Sequence, residues 1–510
     1  MNAAFTQRRK NGAEARLGGR LDGSAATFTA VVLALAIGIF WIAPIRSSLW
    51  LDETGTVWAI RGTLRETIDR AFYPGQPSVL YSVVTWLVVA AGGLHEITLR
   101  LPSLVATAMA ALGVYRLAQR FCDPQQSLLA MALFSTYGTV VFAAADARPY
   151  ALALMAVVWA MLLFVRWCET GRTVFGIGWA LTAALGVYFH YFAATMLPVF
   201  ILYFMQHERH RRPTRATLFG AAALLCVLLL ALLPHAAQLW RMRVEHSFSG
   251  MTELRDVIDA LVYYRLAAGI LVGAVAARLL SPDFEVRPQG LFTRAHCFLA
   301  SWYLVPVLSL LALSLFSEAK VFVPRYYLWG VPGLVILTAS ALSAVHPLSA
   351  RRVLGLVMLL AFCVRRFPTG DAGNGGEDWR GALSAANASM AQTGATLLLR
   401  SGFPERPLVV VGEESSANDP LMAPLAMYPV AGKAVLIPPS LKDADGQRLE
   451  EIVSGLVARR TPFVFVSPKN GPPTDVWLLG RLSGQRYRTS SIGNFLGITA
   501  ISCLPRAGGE

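Results

Sequence analysis

The sequence predicts a polytopic α-helical membrane protein, with about eleven spans and interfacial helices, that carries a small C-terminal α/β domain outside the membrane. Composition, the spacing of apolar runs and the placement of basic residues predict it. Of 510 residues, 55% are apolar and only 15% charged, with a mean hydropathy of +0.50, whereas a soluble domain carries about 25% charged residues. That excludes a soluble enzyme, a disordered chain and a fibrous protein. Length alone suggests about three domains of ~150 residues, but in a chain this apolar the natural unit is the span of ~20 apolar residues.

The net charge of +14 does not point to nucleic acid. The basic residues stand mostly in short loops between apolar runs, where the positive-inside rule accounts for them. All but five are arginine, a bias expected of a GC-rich bacterial genome, so the expected location is a bacterial inner membrane. Six scattered cysteines, without a CxxC pair or metal-ligand spacing, indicate neither a disulfide framework nor a zinc site.

Arg8, Arg9, Lys10, Arg16 and Arg20 precede the first apolar run, Ala25 to Pro44, and no small-residue cleavage site follows it. Residues 1–24 are therefore expected to be a cytoplasmic basic tail before a retained first helix. Further spans are expected near 101–119, 126–143, 150–166, 174–190, 192–206, 217–234, 264–280, 296–316, 327–345 and 352–364. The run 79–94 is apolar but short and ends at Gly92-Gly93. Were it a span, every later basic loop would change sides. Read as a helix lying in the interface, it leaves Arg116/Arg120, Arg166/Arg172, Arg209 to Arg215 and Arg351/Arg352 inside. The membrane domain is thus 25–366, with a first outer loop at 45–100.

Residues 367–376 read as a linker. Beyond it, at 377–510, short β-rich runs alternate with helical patterns over Leu408–Val411, Ala434–Ile437, Leu449–Val457, Phe463–Val466 and Asp475–Leu482, as in a small α/β domain. An odd number of spans places it outside the cytoplasm.

Candidate chemistry gathers on that outer side. Asp52-Glu53 follows the first helix: a solvated loop or helix N-cap accounts for such a pair, and so does a general base acting on an acceptor hydroxyl. Asp146-Ala147-Arg148-Pro149-Tyr150 closes the third span, where a salt-bridged helix start is the plain alternative. His190-Tyr191-Phe192 stands between two spans, where an interfacial anchor is the simpler role. Pro324-Arg325-Tyr326-Tyr327 opens the tenth span, in the position of an aromatic belt. What favours function is convergence: all four, with Arg100, fall on one side. Carboxylates together with arginines suit a reaction that deprotonates a hydroxyl while a phosphate leaves.

Asp52-Glu53, Gln76-Pro77-Ser78-Val79-Leu80-Tyr81, Arg100-Leu101-Pro102-Ser103, Ala147-Arg148-Pro149-Tyr150 and His190-Tyr191-Phe192-Ala193 occur in the order seen in one family. In this series the chain resembles the membrane glycosyltransferases of the GT-C fold, specifically bacterial relatives of dolichyl-phosphate-mannose protein mannosyltransferases and aminoarabinose transferases. The resemblance is specific over about 25–215, looser through Arg325-Tyr326, and reaches Asp378-Trp379-Arg380. It departs at Gln76-Pro77-Ser78, where many relatives have Pro-Pro.

The resemblance implies a polyprenyl-phosphate-linked sugar donor, a glycan, lipid or protein acceptor, and inverting transfer on the extracytoplasmic face. Asp52 is the implied base, supported by Glu53. Arg100 and Arg325 are implied to meet the lipid phosphate, with Arg148 and Tyr326 beside them. Tyr81, Asp146, Tyr150, His190 and Tyr191 are implied to line the cavity. Such a donor already has a good leaving group, so no nucleotide is needed, in keeping with the absence of a GxxxxGK[ST] loop. Carboxylates attract hard cations, but no dedicated ligand cluster stands in the sequence, and no metal or other cofactor is expected. A transporter or flippase is the competing class; broken repeats with midplane charges, its usual marks, are not seen.

Overall fold

A computed structural model describes residues 23–72, 78–206, 213–241, 252–287, 293–364, 375–402, 420–438, 443–469, 473–483 and 487–506, with residues 243, 441 and 485. The basic tail, most of the expected linker, the Gln76-Pro77 departure and the Leu408–Val411 run lie outside them.

Every expected apolar run from 25 to 364 is helical. Among the described residues, helices Glu96–Ala118, Tyr150–Thr170 and Arg294–Phe316 are each long and apolar enough to cross a membrane, as is Thr27–Arg46; counting each of three bent pairs as one span raises that number from four to seven, and shorter apolar helices accompany them. Tyr150–Thr170 is central, with 78% of its most apolar window buried. Glycine permits its close neighbour: a Cβ on Gly113 of helix Glu96–Ala118 would stand 2.6 Å from Val158.

One expected span differs in form. The run 126–143 is two helices, Pro124–Thr136 and Gly138–Ala144, bent by 67°. The break falls at Tyr137, which is extended (ψ 137°) and stacks on Tyr263 at 4.3 Å. The short run folds as helix Val79–Gly92, capped by the Ser78 side chain, with Tyr81, Ser82 and Thr85 buried and Leu87 exposed.

The C-terminal part is a five-stranded mixed sheet, as alternating β-rich and helical patterns predict. Its strands are β1 (Thr396–Leu399), β2 (Ala434–Leu436), β3 (Phe463–Pro468), β4 (Tyr487–Ser491) and β5 (Ile498–Pro505), in the order β2-β1-β3-β5-β4. β1 is parallel to β2 and β3, with Leu397 opposite both Ala434 and Val464; β5 is antiparallel to β3 and β4. The fully buried run of β3 is what a central strand covered on both faces requires.

The first outer loop joins that domain. Helix Leu51–Ala59 places Trp58 and Ala59 in one apolar cluster with Trp379, Leu383, Leu397 and Val464. Its other face, through Val57, packs with Leu49, Leu99 and Ala147. The helix bearing Asp52 is thus wedged between the membrane helices and the C-terminal sheet.

Candidate active site

Asp52 and Glu53 occupy the first turn of helix Leu51–Ala59, where backbone N–H groups and the helix dipole favour negative charge. Neighbours on a helix point about 100° apart, and the two carboxylates have different fates. Glu53 turns inward and is fully buried. It accepts hydrogen bonds from the Ala147 amide at 2.7 Å and the Trp50 amide at 3.2 Å, and from Arg100 Nε at 2.7 Å and Nη2 at 2.5 Å. Arg100 donates its remaining N–H groups to the carbonyls of Pro44, Ile45, Ser47 and Ser48 and to the Ser47 hydroxyl. All five donors of this guanidinium are engaged within the chain. Arg100 therefore has no donor left for a phosphate, unlike the contact the resemblance implies, and its pair with Glu53 fixes the loop to helix Glu96–Ala118.

Asp52 turns outward, its side chain one quarter exposed, and stands 3.8 Å from Arg325 Nη2. Arg325 belongs to the turn Pro324–Tyr326, where proline sets the backbone and the flanking aromatics build the wall. Its guanidinium lies over the rings of Tyr326 at 5.4 Å, Trp50 at 5.6 Å and Tyr150 at 6.0 Å. Arg148 reaches the same place from the segment before helix Tyr150–Thr170 and donates to the Asp52 carbonyl at 3.3 Å.

Asp146 accepts from Trp50 Nε1 at 3.0 Å through one oxygen, while its other oxygen is buried without a partner. Burial, then the Glu53 charge, push this carboxyl well above the usual range. The two carboxyls of the site thus differ in setting: Asp146 is buried in the wall, and the Asp52 side chain is one quarter exposed.

His190 closes the ring of aromatics, 5.1 Å from Trp329, 5.2 Å from Tyr150 and 5.4 Å from Tyr326. Tyr81 is fully buried, close enough to Asp146 and Arg148 to feel their charges. Tyr191 turns elsewhere, its hydroxyl 2.7 Å from His235 Nδ1. The structure thus brings Asp52, Arg148, Arg325, Tyr326, Asp146, Tyr150 and His190 together, places Glu53 and Arg100 behind them, and sends Tyr191 to a different partner.

Sequence reasoning missed Trp50, which touches both Asp146 and Arg325, and Trp329. It also missed Glu377. This buried residue accepts from the Leu51 amide at 2.9 Å and Trp379 Nε1 at 2.8 Å. Trp50 was findable, since an aromatic two residues before a candidate base is in reach of it. Glu377 carried no local signal, standing 326 residues from its partner.

Apolar helices of spanning length, with charged and aromatic side chains gathered at their ends and an α/β part packed beside them, describe a multi-pass membrane protein. Within that class, residues 76–237 match the family described as Dolichyl-phosphate-mannose-protein mannosyltransferase. Among solved structures, the chain is similar to ArnT from Cupriavidus metallidurans bound to undecaprenyl phosphate, with a TM-score of 0.52 at 12% identity over 93% of this chain and 98% of that one. The apo state of ArnT gives the same score and identity over 94% and 98%. An Archaeoglobus fulgidus oligosaccharyltransferase tethered with an acceptor peptide scores 0.47 at 11% identity, over 88% of this chain and 69% of that one. No curated protein matches the chain by sequence at a significant level.

Proposed function

We propose that the protein is a glycosyltransferase that moves a sugar from a polyprenyl-phosphate donor to an acceptor hydroxyl on the extracytoplasmic face, with inversion and with Asp52 as general base. The observation that carries this reading is the Asp52–Arg325 separation of 3.8 Å, inside an aromatic wall at the ends of apolar helices. That distance is too long for a hydrogen bond. A donor phosphate seated beside Arg325 and Arg148 competes for those cations and leaves the Asp52 carboxylate for the acceptor.

In the reaction, Asp52 takes the acceptor hydroxyl proton as the oxygen attacks the anomeric carbon from the face opposite the phosphate. The bond from that carbon to the phosphate oxygen breaks, and the charge gathering on the leaving phosphate is met by Arg325 and Arg148. Orientation and charge stabilisation suffice for a donor so activated. The family match and the fold shared with a protein solved with undecaprenyl phosphate support a lipid-phosphate donor.

The test is transfer from a panel of polyprenyl-phosphate sugars, in membranes bearing either the wild type or Asp52→Asn. Transfer that disappears in the variant supports the reading and identifies the donor. Equal transfer by both proteins overturns Asp52 as the base, and absence of transfer from every donor overturns the activity.

A further inference from the structure

The loop that carries Asp52 is not held by the membrane helices alone. Three contacts tie its backbone to the C-terminal domain. The Leu49 amide donates to the Tyr428 hydroxyl at 2.9 Å, and that hydroxyl donates to Glu96 at 3.1 Å. The Ser48 hydroxyl accepts from the Arg380 amide at 3.1 Å, while the Arg380 guanidinium reaches the Arg46 carbonyl at 3.0 Å and Glu96 at 3.2 Å. The third contact stands nearest the chemistry: Glu377 accepts from the Leu51 amide, one residue before Asp52.

That amide is one of the first N–H groups of helix Leu51–Ala59, which have no partner within the helix. Trp50, which precedes it, has no side chain able to accept the bond. The missing acceptor comes instead from the far end of the chain. Glu377 is only 7% exposed, and Trp379 Nε1 fixes the oxygen that receives the Leu51 amide. A Cβ on Gly375 would overlap the Trp50 ring, so the segment before Glu377 lies flat on the very tryptophan that contacts Asp146 and Arg325.

We infer that Glu377 is a positioning residue of the transfer reaction: it supplies the acceptor that fixes the start of the Asp52 helix, so the C-terminal domain is a working part of the active site and not a detached cap. The inference rests on the reading of Asp52 as the base. The charges facing Glu377 are the carboxylates of Asp52 and Glu53. They make a negative charge there unfavourable, so the role lies in reach and acceptor geometry.

Reach and charge separate by substitution. Glu377→Gln keeps the length and an acceptor oxygen, whereas Glu377→Asp keeps the carboxyl but falls one methylene short. Transfer kinetics of both, with Glu377→Ala and Asp52→Asn, are to be measured together with amide exchange over residues 49–56. The expected result is kcat reduced about tenfold or more in the Ala and Asp variants, by loss of orientation. The donor KM should stay within about twofold, and the Gln variant should match the wild type, because only the acceptor geometry changes. Exchange over 49–56 should quicken in Ala and Asp but not in Gln. Wild-type kcat in the Asp variant, or equal losses in Gln and Asp, overturns the inference; if Ala does not accumulate, the Gln and Asp pair still decides. Full transfer by Asp52→Asn would instead overturn the base assignment, whatever Glu377 does.

Discussion

Arg100 and Glu53 form a two-point ion pair in which both side chains are essentially without solvent exposure. Its geometry makes it a fastening of the outer loop to helix Glu96–Ala118. Breaking a buried pair by removing one partner leaves the other charge uncompensated, at a cost of about 3–5 kcal/mol. Glu53→Gln and Arg100→Met should each lower the thermal midpoint of the purified protein strongly. The double variant should lose less than the sum of the two, and additive losses would show that the two side chains act independently.

Arg325 and Arg148 should divide by the bonds they already make. Arg325 is the cation opposite Asp52, set among the rings of Trp50, Tyr150 and Tyr326. Arg325→Gln should lower kcat/KM by about 10²-fold through lost stabilisation of the leaving phosphate. Arg325→Lys should recover only part, because a lysine keeps the charge but not the planar face that stacks on Trp50, Tyr150 and Tyr326. Steady-state kinetics with the donor varied would check both, and equal recovery by lysine would count against the stacked geometry.

The two aspartates of the site should respond oppositely to amidation. Asp146, whose carboxyl burial pushes well above the usual range, should tolerate Asp146→Asn to within about threefold in kcat, since the amide oxygen still accepts from Trp50 Nε1. Asp52→Asn should abolish transfer. Comparable losses in the two variants would mean that Asp146 is ionised in the working enzyme.

Glu377 should leave a mark on stability against pH. Burial lifts its carboxyl from 4.5 to about 7, so between those values the folded protein holds a proton that the unfolded chain has released. The resulting stabilisation is full below pH 4.5, declines as pH rises toward 7 and is gone above it. Thermal midpoints across pH 4.5 to 8 should fall more steeply in the wild type than in Glu377→Gln. Parallel curves would place the titration elsewhere.

Much of the helical part was legible in the sequence because apolar runs answer to the bilayer, a solvent with a fixed thickness. That rule locates helices, but not breaks within them: the bend at Tyr137 depends on Tyr263 and Phe362, far along the chain. The site was legible as a set of residues, not as a set of roles. Arg100 and Arg325 are both arginines on the same expected face, and only the structure shows that the carbonyls of residues 44 to 48 wrap around Arg100 while Arg325 stands opposite Asp52. In the C-terminal domain, alternation revealed an α/β character, yet β1 and the hairpin of β4 and β5 lacked a pattern strong enough to assign. Glu377 was invisible for a different reason: its meaning comes from an amide more than three hundred residues away.

The ties from Ser48, Leu49 and Leu51 to Arg380, Tyr428 and Glu377 span 332, 379 and 326 residues. The Asp52 segment emerges among the first tenth of the chain, yet its anchors are synthesised in the last third. During translation the membrane helices accumulate around a loop whose fastenings to the C-terminal domain do not yet exist, and closing so long a separation carries its entropy cost only once those residues are present. The ties of the Asp52 loop to the C-terminal domain can therefore be completed only after Tyr428 has been made. A chain interrupted between Arg325 and Tyr428 would hold Asp52, Arg148 and Arg325, yet lack the completed grip of the C-terminal domain on the Asp52 loop.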